Sequence, residues 1–294
     1  MSSRQLIINA DDLGFNQEVT DGIFDSHSNG VVTSTTLMVN MPAADYAVER
    51  IAKHPDLSVG IHVNLTTGVP VSDPCDVPSL VDADGQFHDH RKFMRLANRW
   101  KLETSDLERE MVAQFEKFKS YGIEPTHADS HHHSTYCLQV FPVLLKLLSR
   151  FKLRRMRSHR GWFHTDRTAS NTMALRFKTL LTNVKRFPQR IYYEVQHRMC
   201  KSRGFQVPDE RYDFYKVVGN QKMGFRSECV PNMLATMPPG IIEMVCHPGY
   251  LSQDPIDNAK FRQQRKDELD LMTSPSFAES LESSNIKLIN FTQF

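Results

Sequence analysis

Apolar and polar positions along the first 130 residues switch repeatedly between a strand period and a helix period. Leu6-Ile7-Ile8-Asn9-Ala10 is a short apolar run of the kind that makes a buried strand. Asn16 behind it offers a cap for a helix ending near Asn29-Gly30. Val31 to Asn40, rich in Val and Thr, predicts a second strand. After Pro42, the residues Ala44, Ala47, Val48 and Ile51 recur at helical spacing. Leu57 to Leu65 alternates strictly and predicts a third strand. A turn-rich stretch with Gly68, Pro70, Pro74, Pro78 and Gly85 follows. Ser105 and Glu108 then form a capping box for a helix with Leu107, Met111, Phe115 and Phe118 on one face. Thr126 to His131 predicts a fourth strand and Phe141 to Leu148 an apolar helix. The pattern weakens after His159. It returns as a strand at Ile241 to Cys246, helices near Ala259 to Leu271 and Phe277 to Leu281, and a strand at Ile286 to Phe291.

Strands alternating with helices of this length predict βαβ units and a parallel sheet. One α/β barrel would use nearly all of the 294 residues, and no repeat or linker divides them. The expectation is therefore a single domain over residues 1–294. With 40% apolar and 24% charged residues, the composition excludes collagen-like and wholly disordered chains. No stretch reaches the ~20 apolar residues of a membrane-spanning helix, and Met1 to Gln5 leaves no room for a signal-peptide core. A cytoplasmic protein follows as an expectation. The net charge of +2 gives no global attraction to nucleic acid or an anionic membrane. Five scattered cysteines argue against a disulfide framework and a Cys-rich zinc site. Lys152 to Arg190 carries eleven Lys or Arg against one acid, Asp166. That run reads as a solvated helical face or, more sharply, as an anionic-ligand surface using Arg154, Arg155 and Arg157.

Histidine changes the picture: four of the 13, His127, His131, His132 and His133, lie within seven residues. Strand alternation sets His127, Asp129 and His131 on one side of their strand, and His62 with Asn64 on one side of theirs. Asp11 and Asp12 close the first strand, and His247 closes Ile241 to Cys246, followed at once by Pro248-Gly249. Taken singly, Asp11-Asp12 suits a helix N-cap pair and His62 a satisfied core histidine. Together, four strand ends each deliver an acid or an imidazole, and α/β barrels build their active sites there. A mononuclear metal site with open positions is the leading reading.

Asn9-Ala10-Asp11-Asp12-Leu13-Gly14, the run Val32 to Asn40, Gly60-Ile61-His62, Pro125-Thr126-His127-Ala128-Asp129-Ser130-His131-His132-His133 and Cys246-His247-Pro248-Gly249 resemble the YdjC-like carbohydrate deacetylases. The motifs occur in that family's order, covering about residues 5–150 and 240–290, with a less matched basic insertion around 152–238. The resemblance implies an irregular (β/α) barrel of the glycoside hydrolase/deacetylase type, often a homodimer. It implies metal-dependent removal of acetyl groups from N-acetylated sugars such as chitooligosaccharides. Carried over by position, Asp12, His62 and His131 would be the metal ligands, Asp11 the general base and His247 the catalytic acid. Asp129 or His127 would orient a ligand imidazole. Two histidines and a carboxylate suit Zn²⁺, while Mg²⁺ is the ion commonly attributed to the family. Ser134 and Thr135 depart from a hydrophobic residue and a fourth histidine found there in family members. The rival readings are a metal-dependent phosphoester hydrolase and a catalytically silent sugar-binding barrel.

Overall fold

In the computed structural model, the described residues are 4–161, 173–214, 219–220, 224–225, 230–254 and 259–294. The apolar run near the start becomes β1 (Arg4–Leu13), and α1 (Gln17–Ser28) follows with the Asn16 side chain accepting the Val19 N–H, as the sequence predicts. Then come β2 (Ser34–Leu37), α2 (Ala44–Ile51), β3 (Ser58–Val63), α3 (His90–Ala97), α4 (Thr104–Ser120), β4 (Ala128–Ser130) and α5 (Val140–Arg150). The second half holds α6 (Met173–Ser202), β5 (Glu210–Asp213), a small ribbon of β6 (Gly219–Asn220) with β7 (Gly224–Phe225), and α7 (Val230–Ala235). It ends with β8 (Gly240–Cys246), α8 (Ala259–Met272), α9 (Pro275–Ser283) and β9 (Ile286–Leu288).

The main sheet runs β4-β3-β2-β1-β8-β5, and every pairing in it is parallel. β8 lies along β1 from Arg4 to Ala10. The opposite edge of β1 is divided between β9 at Arg4–Leu6 and β2 from Asn9 onward. The free edges of β4 and β5 are joined by irregular backbone. Ala128 N–H donates to Arg155 O and Arg157 N–H to Ala128 O; Met156 N–H reaches Gln206 O, and Arg211 N–H reaches Arg160 O. The ring closes through residues 154–160, which makes the architecture an irregular (β/α) barrel.

Outward-facing Leu6, Ile8 and Ala10 join the core beneath the helices. Inside, Ile7 packs with Ile289 and Phe291 to form a floor, and His127 stacks on Phe291 with centroids 3.6 Å apart. Phe291 is buried, so the floor is dry, and polar side chains begin directly above it.

Several expectations change in detail. β2, β3, β4 and β9 are shorter than the runs that announce them, as with β2 against Val31–Asn40, because only the paired residues join the ladder, whereas β1 and β8 extend past theirs. The capping box at Ser105 and Glu108 does not form: α4 begins at Thr104, and Asp106 instead accepts the Ser79 N–H. α3, α6, β5, the β6–β7 ribbon and α7 have no counterpart among the elements expected from the sequence. The basic run falls partly outside the described residues, at 162–172. Cys75, Cys137, Cys200 and Cys246 are unbonded, whereas Cys229 lies outside the described residues. No helix among the described residues is long and apolar enough to cross a membrane.

Candidate active site

β1 delivers both Asp11 and Asp12 to the mouth of the barrel. Strict alternation would send Asn9 and Asp11 inward and Asp12 outward. The β1–β2 register slips between Ala10 and Leu13, and Asp12 adopts a left-handed backbone with φ 71°. This bulge turns the second carboxylate inward as well; Asp is among the few residues that tolerate such a conformation.

β3 contributes His62, and β4 contributes Asp129 with His131 one residue past its end. Gly60 allows these strands to approach. A Cβ there would lie 2.6 Å from His127 O and 2.7 Å from the His127 ring. His131 is followed by His132 and His133, both with positive φ, so the chain turns sharply off β4 with the His131 ring held at the mouth. Thr66 Oγ1 meets His132 Nδ1 at 2.9 Å, tying this turn to the loop after β3.

The side chains converge. Asp12 Oδ1 is 2.9 Å from His131 Nδ1 and 3.3 Å from His62 Nε2, and its other oxygen accepts from Arg265 Nη2 at 2.7 Å. His62 Nδ1 lies 2.6 Å from Asp129 Oδ1, which leaves Nε2 facing Asp12. Asp11 receives both terminal nitrogens of Arg157, at 2.7 and 2.5 Å, and Asn9 Nδ2 at 2.9 Å. His247, partly exposed, places Nε2 3.9 Å from Asp11 Oδ2. Its backbone N–H donates to the buried Glu268, whose carboxylate also lies 4.0 Å from His247 Nδ1.

Burial alone would raise the pKa of every carboxyl here. Against that, Arg157 holds Asp11 far below the usual carboxylate range, and His131 with Arg265 does the same for Asp12. His62 is pushed the other way, up to about 10: burial opposes its charge, but Asp129 and Asp12 outweigh it. Burial, with Arg157 nearby, holds His127 well below its ordinary value, so it is a neutral support with Nε2 3.1 Å from Asn9 Oδ1.

The ligating atoms of Asp12, His62 and His131 lie within 4.8 Å of one another and could hold a metal ion. The donor set fits one. Two imidazole nitrogens and one carboxylate oxygen suit a divalent cation with open positions.

All five residues singled out in the sequence, Asp11, Asp12, His62, His131 and His247, meet at this mouth. Arg157 is the correction. It is buried on the carboxylates rather than offered to an anionic ligand, whereas Arg154 covers Phe205 and Arg155 Nε binds Phe294 O. The missed signal is rhythm: after β4 and α5 another strand is due, and residues 154–160 take its place as irregular backbone held by isolated bridges. Thr36, which touches both His62 Nδ1 and Asp129 Oδ2, and Glu243 were also missed.

Fold and site together define an α/β barrel with a carboxylate–imidazole centre at the C-terminal ends of its strands. Residues 5–283 match the model of the YdjC-like protein family, and the chain belongs to that family. A carbohydrate deacetylase from Geobacillus stearothermophilus is 33% identical over 99% of this chain and 98% of its own length. Another from Brevibacillus brevis is 30% identical over 98% and 99%. Among solved structures, a protein from Enterococcus faecalis V583, provisionally described as a cellobiose-phosphate cleavage protein, superposes with a TM-score of 0.75. It is 27% identical, and the match covers 99% of this chain and 98% of that one.

Proposed function

We propose that the chain is a metal-dependent carbohydrate N-deacetylase, hydrolysing the acetamide of N-acetylated sugars or chitooligosaccharides to amine and acetate. The observation that carries this reading is the meeting of two imidazole nitrogens on Asp12 Oδ1, with Asp11 and His247 3.9 Å apart beside them. Full-length relatives described as carbohydrate deacetylases support it. Asp12, His62 and His131 would hold the ion, and the ligand types favour Zn²⁺ over Mg²⁺.

Bound there, a divalent ion would polarise the acetyl carbonyl and acidify water. Asp11, kept ionised by Arg157, accepts the proton of the attacking water. As the carbon–nitrogen bond breaks, His247 gives a proton to the departing nitrogen, which leaves as the amine while the acyl part leaves as acetate. Asp129 and Thr36 orient His62 from behind.

A second reading is hydrolysis of a phosphoester, prompted by the phosphorylated sugar in the description of the Enterococcus faecalis neighbour. The arginines near His159 do not add to it, because Arg160 and Arg198 are both paired with Glu194 in the same cavity. Mass spectrometry of products from N-acetylated and phosphorylated sugars, with and without divalent metals, separates the two: acetate supports deacetylation and phosphate release overturns it. Asp11→Asn should retain metal and sugar binding and release acetate ~10²–10⁴-fold more slowly. Undiminished turnover would remove Asp11 as the base.

A further inference from the structure

The guanidinium of Arg157 is buried and held on three sides. Its terminal nitrogens take both oxygens of Asp11, and Nη2 also meets Asp129 Oδ2 at 2.7 Å. On the remaining side, Nε donates to Glu243 Oε1 at 2.7 Å. A guanidinium is a rigid planar fork, so the direction of Nε fixes where both terminal nitrogens point. Glu243 lies in the middle of β8, paired in register with Ile7 of β1 and Arg211 of β5. It is fully buried, and among the described residues its side chain hydrogen-bonds to Arg157 through Oε1 while Oε2 has no partner.

Stability does not account for such a group. Burying a carboxyl with one oxygen unsatisfied is costly, and apolar side chains often replace buried ion pairs without loss. We propose that Glu243 is a positioning residue for the base, aligning Arg157 so that its fork presents Asp11 to the water. The inference rests on Asp11 being the base. Glu243 does this as a hydrogen-bond acceptor more than as a charge. The single charge of Arg157 is shared with Asp11 and Asp129, with Arg211 alongside on β5, and burial pushes the Glu243 carboxyl up to about 7 against the pull of Arg157.

Glu243→Gln keeps an acceptor for Nε and should retain kcat within about threefold. Glu243→Met removes the acceptor at similar volume. It should lower kcat about 10–100-fold, the scale of a displaced catalytic group, with KM and metal content unchanged. A double-mutant cycle provides the readout that a merely structural role would not move. In an Asp11→Asn background, Glu243→Met should cost no further kcat, because its effect passes through Asp11. If Glu243→Met does not fold, Glu243→Asp replaces it: the carboxylate remains but, one methylene shorter, is withdrawn from Nε while the Arg157 fork is intact, and a loss of kcat that vanishes in the same cycle is expected. Wild-type kcat in Glu243→Met, a loss in Glu243→Gln as deep as in Glu243→Met, or additive losses in the cycle would overturn the proposal. Undiminished Asp11→Asn, or wild type that releases no acetate, would overturn the base reading and this one with it, in proteins where Glu243 is untouched.

Discussion

Asp12 divides its two oxygens between tasks. One faces the imidazoles of His62 and His131, and the other is occupied by Arg265, so the carboxylate is oriented before any cation arrives. If His62 and His131 are ligands, replacing either by Ala should weaken metal binding by more than the ~10–100-fold typical of outer partners, with the fold retained. Elemental analysis beside circular dichroism checks this; equal metal in wild type and both variants would remove the assignment. These residues are legible in the sequence because polar side chains at the ends of apolar runs have few structural reasons to be there. The Asp12 bulge is not legible, since nothing local says which residue of a strand will turn left-handed. Nor is the role of Arg157: its partners Asp11, Asp129 and Glu243 lie on three different strands, and in the sequence it stands among other arginines.

At the scale of elements, α4 acts as a clamp. Asp106, Glu110 and Gln114, one helical turn apart, face the loop that leaves β3. Asp106 accepts the Ser79 N–H, Glu110 the Val71 and Ser72 N–H groups, and Gln114 exchanges bonds with the Asn64 backbone. The same loop holds His132 through Thr66. Glu110→Ala strands two backbone donors and should cost about 2–4 kcal/mol, read as a lower urea midpoint. Stability within 0.5 kcal/mol of wild type, the ordinary scatter of surface changes, would mean the loop stands without the clamp. A helical pattern in the sequence shows that Asp106, Glu110 and Gln114 share a face. It cannot show that the face meets loop backbone instead of water, which is why a capping box at Ser105 and Glu108 looks plausible and does not form.

For the molecule as a whole, the βαβ rhythm announces a parallel barrel, and the structure has one. The closure through residues 154–160 escapes the pattern because single bridges leave no strand-length apolar run. The floor escapes it too. Phe291 looks like the end of a strand, yet it sits in a short helical turn, Phe291–Gln293, that fills the barrel bottom beneath His127. Phe291→Ala should destabilise by ~3–5 kcal/mol, the cost of a large core cavity, measured by denaturant unfolding. A loss under 1 kcal/mol would show that the floor can collapse around the gap.

The central place of β1 also sets a timetable. Its neighbour β8 begins at Gly240, paired to Arg4, and β9 joins still later at Ile286. During synthesis at ~5–20 residues per second, the first strand waits on the order of 10–50 s for its partner to emerge. Throughout that interval an apolar strand edge stands open, the kind of edge that recruits foreign strands. The ribosome-bound nascent chain, more than the finished barrel, is therefore where this sequence is most exposed to aggregation, and where a holdase chaperone has most to protect.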